Sequence, residues 1–241
     1  MKKFISILFI IVISSTVFAD SGKSVLKKIR ANYENIESLE LFMHYELYKG
    51  HKSNTIVTEY NAVYNRIGKD SYRKIQDAEV INSNTEGLNL TINHNQRAIL
   101  VGNSTNYSAI DFDVKSTLKH CKDIQIRSNN KNTIITLVLK DKTDIPYVKV
   151  EFEINKKYYV QNIIFYYSTQ LNFSETYFKQ DFDFPKLKIT YNALKKKWKD
   201  KTGLLSVENY VKINDDNKIV GIGKQKNYEI IDLRKNINYD E

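Results

Sequence analysis

The sequence predicts a mainly β protein with two or three helices, in which a single curved antiparallel sheet forms an open half-barrel and the helices lie against its concave face. Three observations predict this class: apolar and polar residues alternate over most of the chain, short turn signals separate the alternating runs, and helical periodicity occurs at only two places. Strands joined by short turns pair antiparallel, because a parallel crossover needs a dozen or more residues. A large sheet must then curl or be covered to bury its apolar face.

The first 19 residues predict a signal peptide. Two lysines precede an apolar run from Phe4 to Ile13 that contains one serine, Ser6, and small residues lead to Ala19. An uncleaved membrane anchor would need about 18 or more consecutive apolar residues, and here Ser14 interrupts the run. We therefore expect export to the periplasm, cleavage after Ala19, and one soluble domain over residues 20–241.

Net charge and cysteine content limit the kinds of molecule that this protein can be expected to bind and the way in which it is stabilised. The formal net charge is +9, or +7 once Lys2 and Lys3 leave with the signal peptide, and a positive surplus favours anionic partners. Export argues against nucleic acid. The single cysteine excludes an intramolecular disulfide, so stability must come from a hydrophobic core. We expect a monomer.

An amphipathic helix is predicted over residues 21–36, because Val25, Ile29, Tyr33 and Ile36 fall on one face. A strand with strict alternation follows over residues 39–48, and Gly50 ends it in a hairpin turn. A second helix is predicted over residues 108–121 from apolar spacings of three and four. Further strands are predicted over residues 55–66, 71–76, 79–81, 88–92, 98–101, 124–127, 133–140, 147–154, 158–167, 187–191, 210–213, 218–222 and 228–233.

Catalytic motifs are missing from the sequence. It contains no Gly-rich phosphate loop, no Gly-x-Ser-x-Gly and no His-Glu-x-x-His. The four histidines lie in different predicted elements, and none has the spacing of a metal-ligand pair: His44, His51, His94 and His120. His120 and Cys121 are neighbours, but adjacent helix positions point about 100° apart, so a core cysteine beside a surface histidine is expected. A carboxylate pair of the glycosidase kind stays open, although no residue is singled out. We predict a non-enzyme without catalytic residues, metal or cofactor.

Two segments each allow two interpretations. Residues 192–201 place Trp198 among five lysines, which suits either a membrane surface or a solvated loop or strand end. The aromatic strand over residues 158–167 could line a ligand hollow, or it could be ordinary β-core packing.

The region from about residue 22 to residue 105 carries a partial motif. Its pieces are Val63-Tyr64-Asn65-Arg66-Ile67, Tyr72-Arg73-Lys74-Ile75, Val80-Ile81-Asn82, Glu86-Gly87, Leu90-Thr91-Ile92-Asn93-His94 and Gln96-Arg97-Ala98-Ile99-Leu100-Val101. Together with the order of helices and strands, these pieces resemble the LolA family of periplasmic lipoprotein carriers and its relatives. Three positions depart from the family's motif: Ile67 and His94 stand where the family has proline, and Glu86 stands for aspartate.

The resemblance implies an incomplete barrel, lidded by helices, around a hydrophobic cavity that accepts acyl chains. Arg66 falls on the family's arginine, which hydrogen-bonds lid carbonyls and holds the cavity closed. Alternation leaves the direction of Arg66 open, because Val57, Ala62, Tyr64 and Ile67 do not share one parity, so this side chain could also lie on the outer face. Strand parity predicts the cavity lining: Leu41, Met43, Tyr45, Leu90, Ile92, Leu137, Leu139, Val150, Phe152, Ile163 and Phe165.

Two functions follow as expectations. In the first, the protein binds a lipid acyl chain or a lipoprotein in the half-barrel cavity and carries it, with inner- or outer-membrane envelope proteins as partners. In the second, it is a non-catalytic structural or protein-interaction module of the cell envelope, whose curved sheet is filled by its own aromatic side chains.

Overall fold

The computed structural model describes residues 22–105, 114–141, 144–174, 176, 179–214, 216 and 218–234. The predicted signal peptide over residues 1–19 lies outside the described residues, as do positions 108–113 of the second predicted helix.

Strands make up most of the described chain. The helices are α1 (residues 22–34) and α2 (Val114–Lys119), with two short 3-10 helices, Val207–Asn209 and Gly223–Gln225. The strands are β1 (Ser38–Tyr48), β2 (Ile56–Ile67), β3 (Asp70–Ile75), β4 (Ala78–Ser83), β5 (Leu88–Asn93), β6 (Ala98–Asn103), β7 (Cys121–Ser128), β8 (Asn132–Leu139), β9 (Tyr147–Asn155), β10 (Val160–Tyr167), β11 (Leu171–Asn172), β12 (Phe182–Asp183), β13 (Lys186–Lys196), β14 (Val211–Ile213), β15 (Ile219–Gly221) and β16 (Glu229–Asp232).

Twelve of these strands share one open sheet, in the order β16-β6-β5-β4-β3-β2-β1-β13-β10-β9-β8-β7, while β11 with β12 and β14 with β15 form two small sheets. The hairpins from β2 to β6 and from β7 to β10 are antiparallel, which confirms the predicted mainly β class with a large antiparallel sheet. The exception is β16, which pairs parallel with β6. More than a hundred residues separate these two strands, so the connection is long enough for parallel pairing. The half-barrel shape stays a prediction.

By its internal contacts the chain forms two compact units. Unit 1 comprises Met1–Asn35, His44–Glu59 and Ile110–Tyr191, and unit 2 comprises Ile36–Met43, Tyr60–Ala109 and Asn192–Glu241. The expectation of one domain over residues 20–241 stays a prediction.

In unit 1, α1 packs against the sheet through one apolar stripe. Leu26, Ile29 and Tyr33 are buried, at the spacing of three and four residues that an amphipathic helix requires. The hydroxyl oxygen of Tyr33 accepts a 3.2 Å hydrogen bond from the backbone N–H of Val160 in β10, and its ring meets Tyr159 edge to face. The first predicted helix is therefore confirmed, with Leu26 more deeply buried than Val25.

The strands of unit 1 bury two rows of cross-strand neighbours on one face. Facing residues of paired strands lie on the same side of a sheet. The register places Ile124, Leu137, Val150 and Phe165 in one row. The second row on this face contains Ile135, Phe152, Ile163 and Ile189, and Ile126 at its end is partly buried.

In unit 2, the last part of the chain covers one face of β3 to β6. We name residues 204–230 the C-terminal strap. The apolar cluster between strap and sheet contains Tyr72, Ile81, Leu88, Leu90, Ile92, Ile99 and Val101 from the strands and Val207, Tyr210, Val211 and Ile219 from the strap. The strap fills this side with the chain's own side chains.

Two sequence-based boundaries were wrong. The second helix ends at Lys119, where His120 N–H bonds back to the carbonyl of Thr117 in a tight final turn, and Cys121 begins β7 opposite Leu139. Strand pairing thus overrides the helical spacing that included Cys121. The strand predicted over residues 187–191 continues to Lys196 as β13, and Lys197 N–H still bonds to Ser38 O at 3.0 Å.

Candidate functional site

Arg66 lies near the end of β2 and its side chain is buried, with 9 % of its surface exposed. Its Nη2 donates a 2.6 Å hydrogen bond to the carbonyl oxygen of Ile36, in the connection between α1 and β1. The next carbonyl of that connection, Glu37 O, accepts a 2.8 Å bond from Gly68 N–H. The end of β2 therefore holds the segment that follows α1 at two successive carbonyls.

The hydrogen bond of Asn65, the residue before Arg66, indicates to which face of the sheet Arg66 points. Asn65 Nδ2 donates to Glu40 Oε2 at 3.2 Å, so Asn65 and Glu40 share one face of the sheet. Successive residues of a strand point to opposite faces, which puts Arg66 with Leu39 and Leu41, both fully buried. We call this buried face of β1 and β2 the inward face; Arg66 points to it and not to solvent, while its role at a cavity stays a prediction.

A row of polar side chains continues from Arg66 across three further strands. The register pairs Arg66 with Ser71, Ser71 with Asn82, and Asn82 with Asn89. We name these four residues the polar row; because they face one another across the strands, they share the inward face of Arg66. Ser71 and Asn82 are 5 % and 0 % exposed. Both are polar residues at buried positions of an alternating strand, and this is the signal that the sequence holds for them.

Only one of the two polar atoms of the Asn82 amide has a hydrogen-bond partner. Its Oδ1 accepts a 2.8 Å bond from Thr105 N–H, whereas its buried Nδ2 has no hydrogen-bond acceptor. A buried amide without a partner costs on the order of 1–3 kcal/mol, so this donor is an exception that calls for a reason.

A cleft of about 540 Å³ adjoins the end of the polar row. It is lined by Ile67, Gly68, Lys69, Asp70, Asn84 and Thr85, residues that follow Arg66, precede Ser71 or come just after Asn82 in the chain. The Asp70 carboxylate is already engaged, since Oδ1 accepts from Asn84 N–H and Thr85 N–H and Oδ2 accepts from Thr85 Oγ1. The exposed Lys69 adds a positive charge to this cleft.

All eleven predicted lining residues are buried, and the structure brings them together in separate groups. Leu137, Leu139, Val150, Phe152, Ile163 and Phe165 share one face of β8 to β10 in unit 1. Leu41 and Met43 share the face of Arg66 in unit 2. Leu90 and Ile92 lie on the opposite face from the polar row, under the C-terminal strap, and Tyr45 lies on β1 within unit 1. Their role in ligand binding stays a prediction.

Three of the four histidines make side-chain contacts at separate places in the structure. His94 Nδ1 lies 2.9 Å from the Tyr228 hydroxyl of the strap, and His94 Nε2 lies 3.3 Å from Glu79 Oε1. His44 meets Glu59, and His51 lies 3.0 Å from Tyr167 O. Over the described part of the chain, no group of three or more His, Cys, Asp or Glu side chains could hold a metal ion.

The thiol of Cys121 is poorly suited to nucleophilic chemistry. Burial raises its pKa to about 11, against the smaller opposing influence of Lys140. Because the thiolate is the reactive form, little of the nucleophile exists at neutral pH.

No family model and no curated protein matches the chain. Within the described ranges, no helix has the length and apolar character needed to cross a membrane.

Three solved structures are similar to the chain. A DUF1329 family protein from Desulfovibrio piger ATCC 29098 is 10 % identical, with a TM-score of 0.36 over 79 % of this chain and 98 % of that one. A domain from Vibrio parahaemolyticus named for outer membrane lipoprotein sorting is 11 % identical, with a TM-score of 0.37 over 77 % and 97 %. A LolA superfamily protein from Nitrosomonas europaea is 12 % identical, with a TM-score of 0.30 over 78 % and 98 %. All three TM-scores are below 0.5, so the likeness is distant. The Nitrosomonas europaea protein carries the name of the LolA superfamily.

Proposed function

We propose that this protein binds the acyl chain of a lipid or lipoprotein in an apolar hollow on the inward side of a half-barrel sheet, and that it acts as a carrier without catalysis. The observation that carries the proposal is the inward Arg66 guanidinium, bonded at 2.6 Å to the carbonyl of Ile36. The apolar side chains of Leu39 and Leu41 on β1 lie on the same face.

A buried guanidinium needs a reason, because burying a charge is costly unless hydrogen bonds compensate. The bond to Ile36 O secures the segment between α1 and β1 on the sheet, and this stabilises a closed state without ligand. An acyl chain entering beneath that segment would compete with the bond. The protein would then alternate between a closed empty state and an open loaded state. A ligand that binds the open state more tightly would increase the population of that state.

The experiment is native mass spectrometry of the mature chain after purification from cells, comparing the wild type with Arg66→Leu. A hydrogen bond to a charged group contributes about 1.5–3 kcal/mol. Removing it destabilises the closed state, so we expect the ratio of lipid-bound to bare protein to rise about tenfold or more. Arg127→Leu is the matched control, since Arg127 is an exposed arginine of β7. Bare protein in all three samples would refute the carrier function; an unchanged ratio in Arg66→Leu would refute the role of Arg66.

The second candidate is an envelope interaction module with a filled core, and one observation favours it. The C-terminal strap occupies the face of the sheet that carries Leu90 and Ile92, two positions predicted to line the cavity. If every apolar face is filled in this way, the same measurement detects no lipid and the protein works through its outer surface.

A further inference from the structure

Two lysines of β13 form ion pairs with carboxylates of β1, its neighbour in the sheet. Lys188 Nζ lies 2.9 Å from Glu46 Oε2. Further along β13, Lys195 Nζ lies 2.7 Å from Glu40 Oε1. While the two strands run side by side, β1 therefore supplies the counter-charges for these lysines.

This supply ends with the strand. β13 ends at Lys196, and the N–H of Lys197 donates a 3.0 Å bond to the carbonyl of Ser38, the first residue of β1. We name residues 197–201 the lysine turn. Its lysines, Lys197, Lys199 and Lys201, are exposed. Among the residues that the structure describes, none of these three forms an ion pair.

The one acidic residue of the lysine turn, Asp200, is bonded to backbone donors. Its Oδ2 accepts a 2.8 Å bond from Leu205 N–H, and its Oδ1 accepts a 3.2 Å bond from Thr202 N–H. These bonds fix the lysine turn to the start of the C-terminal strap, where Leu204 and Leu205 pack against the apolar cluster of unit 2. The lysine turn is thus held on a folded base.

An aromatic side chain lies among these lysines. Trp198 is the only tryptophan of the chain, and it is partly exposed. An indole has an apolar body and a polar N–H, which favours the boundary between water and lipid. Because an extended chain spans at most about 3.6 Å per residue, the Cα atoms of Lys197 and Lys201 are at most about 14 Å apart. Three positive charges and one indole therefore share a small area of the surface.

We propose that the lysine turn binds an anionic lipid surface, with its three lysines near the head-group phosphates and Trp198 at the boundary with the acyl chains. Basic residues are attracted to anionic lipid, and an aromatic residue among them adds apolar contact. An acidic protein would attract the lysines equally, but the indole between them favours lipid. The proposal goes beyond the proposed function, since it does not involve Arg66 and holds whether or not the protein carries an acyl chain.

The test is co-sedimentation of the mature chain with two kinds of vesicle, one of phosphatidylglycerol and phosphatidylcholine in equal parts and one of phosphatidylcholine alone. Both offer acyl chains, so the difference between them is the charge. We expect binding to the anionic vesicles in about 0.01 M salt. Binding should weaken in about 0.15 M salt, because the Debye length falls from about 30 Å to about 8 Å.

Tryptophan fluorescence reports on the lysine turn alone, because Trp198 is the only tryptophan. We expect its emission to shift to shorter wavelength when anionic vesicles are added, since the indole leaves water. Phosphatidylcholine vesicles should leave the emission unchanged.

A triple variant replaces every lysine of the lysine turn: Lys197→Gln, Lys199→Gln and Lys201→Gln. One basic residue near an anionic surface contributes about fivefold to binding, so the loss of three should weaken binding to anionic vesicles about a hundredfold. The matched control removes three exposed lysines of unit 1 and therefore the same charge: Lys122→Gln, Lys131→Gln and Lys156→Gln. This control should retain most of the affinity.

Three results would overturn the proposal: no binding to either kind of vesicle, equal binding to both kinds, or an equal loss in the two triple variants. Soluble polyglutamate provides a further comparison. If it binds as tightly as the anionic vesicles and the Trp198 emission does not shift, the partner is an acidic polypeptide and the assignment to lipid is wrong. Co-purified acyl ligand is measured separately by native mass spectrometry, so the carrier function and the lipid surface site can fail independently.

Discussion

At the residue scale, Gly221 in β15 illustrates how closely the C-terminal strap folds on itself. An added Cβ at this position would overlap the carbonyl oxygen of Gln225, a backbone atom that cannot rotate away. We expect Gly221→Ala to lower the free energy of unfolding by about 1–3 kcal/mol, measured by urea unfolding followed by circular dichroism.

Gly102→Ala is the control for this prediction. An added Cβ at Gly102 in β6 has nothing within 4 Å, so this variant should unfold at the wild-type urea concentration or slightly above it. If Gly221→Ala behaves in the same way, the strap tolerates the side chain and is packed more loosely than described.

The candidate site was only partly predictable from single residues. Arg66 stood out because a motif marked it, but alternation could not give its direction, since the apolar residues of β2 change parity. The direction depends on the pairing of Asn65 with Glu40, which lies 25 residues away in sequence. Ser71 and Asn82 carried no motif at all. Their significance appears only when the register aligns them with Arg66.

At the element scale, the carboxylate of Glu86 links the start of the strap to the sheet. Glu86, in the turn between β4 and β5, accepts a 3.0 Å bond from Ser206 Oγ and a 2.9 Å bond from Val207 N–H. These bonds cap the 3-10 helix Val207–Asn209 from a distance of about 120 residues in sequence. In the sequence, Glu86 is distinguished only because it stands where the family motif has aspartate. In the structure it holds the strap in place.

We therefore expect Glu86→Ala to loosen the strap. The two lost bonds leave a backbone N–H of a helix start unsatisfied, which costs about 1–2 kcal/mol. Hydrogen exchange measured by mass spectrometry should become faster in peptides covering residues 204–213 and stay unchanged in peptides of β8 to β10. Glu208→Ala removes an exposed acid from the same 3-10 helix and should leave exchange unaltered; equal acceleration in both variants would contradict the capping role.

The sequence predicted the positions of most strands, but it did not predict which strands pair with each other. Alternation and turn residues predicted thirteen runs after β1 that the structure contains as strands, with ends shifted by a few residues. The two-residue strands β11 and β12 were missed because they are too short to show a period. The parallel pairing of β16 with β6 was also missed, since periodicity shows which face is apolar but does not identify the neighbouring strand.

At the scale of the whole molecule, two carboxyl groups make the stability sensitive to acid. The bond from Lys188 lowers the pKa of Glu46, against the opposing effect of burial, and Tyr48 assists. Burial alone would raise the pKa of Asp200, but bonds from backbone N–H groups, including that of Leu205 at 2.8 Å, outweigh burial and lower it.

A carboxyl whose pKa is lower in the folded state stabilises the fold at neutral pH, and this contribution is lost as pH falls through the folded-state pKa. We expect the free energy of unfolding to decline from about pH 5 downward. The measurement is urea unfolding at a series of pH values from neutral to about pH 3. Glu46→Gln should be less stable at neutral pH and should lose less on acidification, whereas Glu208→Gln should follow the wild type. A Glu46→Gln curve parallel to the wild type would rule out the Lys188 bond as a cause.

The strap follows the strands that it covers in the chain, and this order has a consequence for how the protein is made. A ribosome produces residues 204–230 after β3 to β6, so these strands are complete while Leu90, Ile92, Ile99 and Val101 still lack their cover. Exposed apolar strands of this kind are prone to aggregate before folding finishes. Pairing of β16 with β6 must also wait, because it joins segments separated by more than a hundred residues. Without the strap, this apolar face of the sheet would be exposed to solvent, so residues 204–230 protect the finished protein from aggregation.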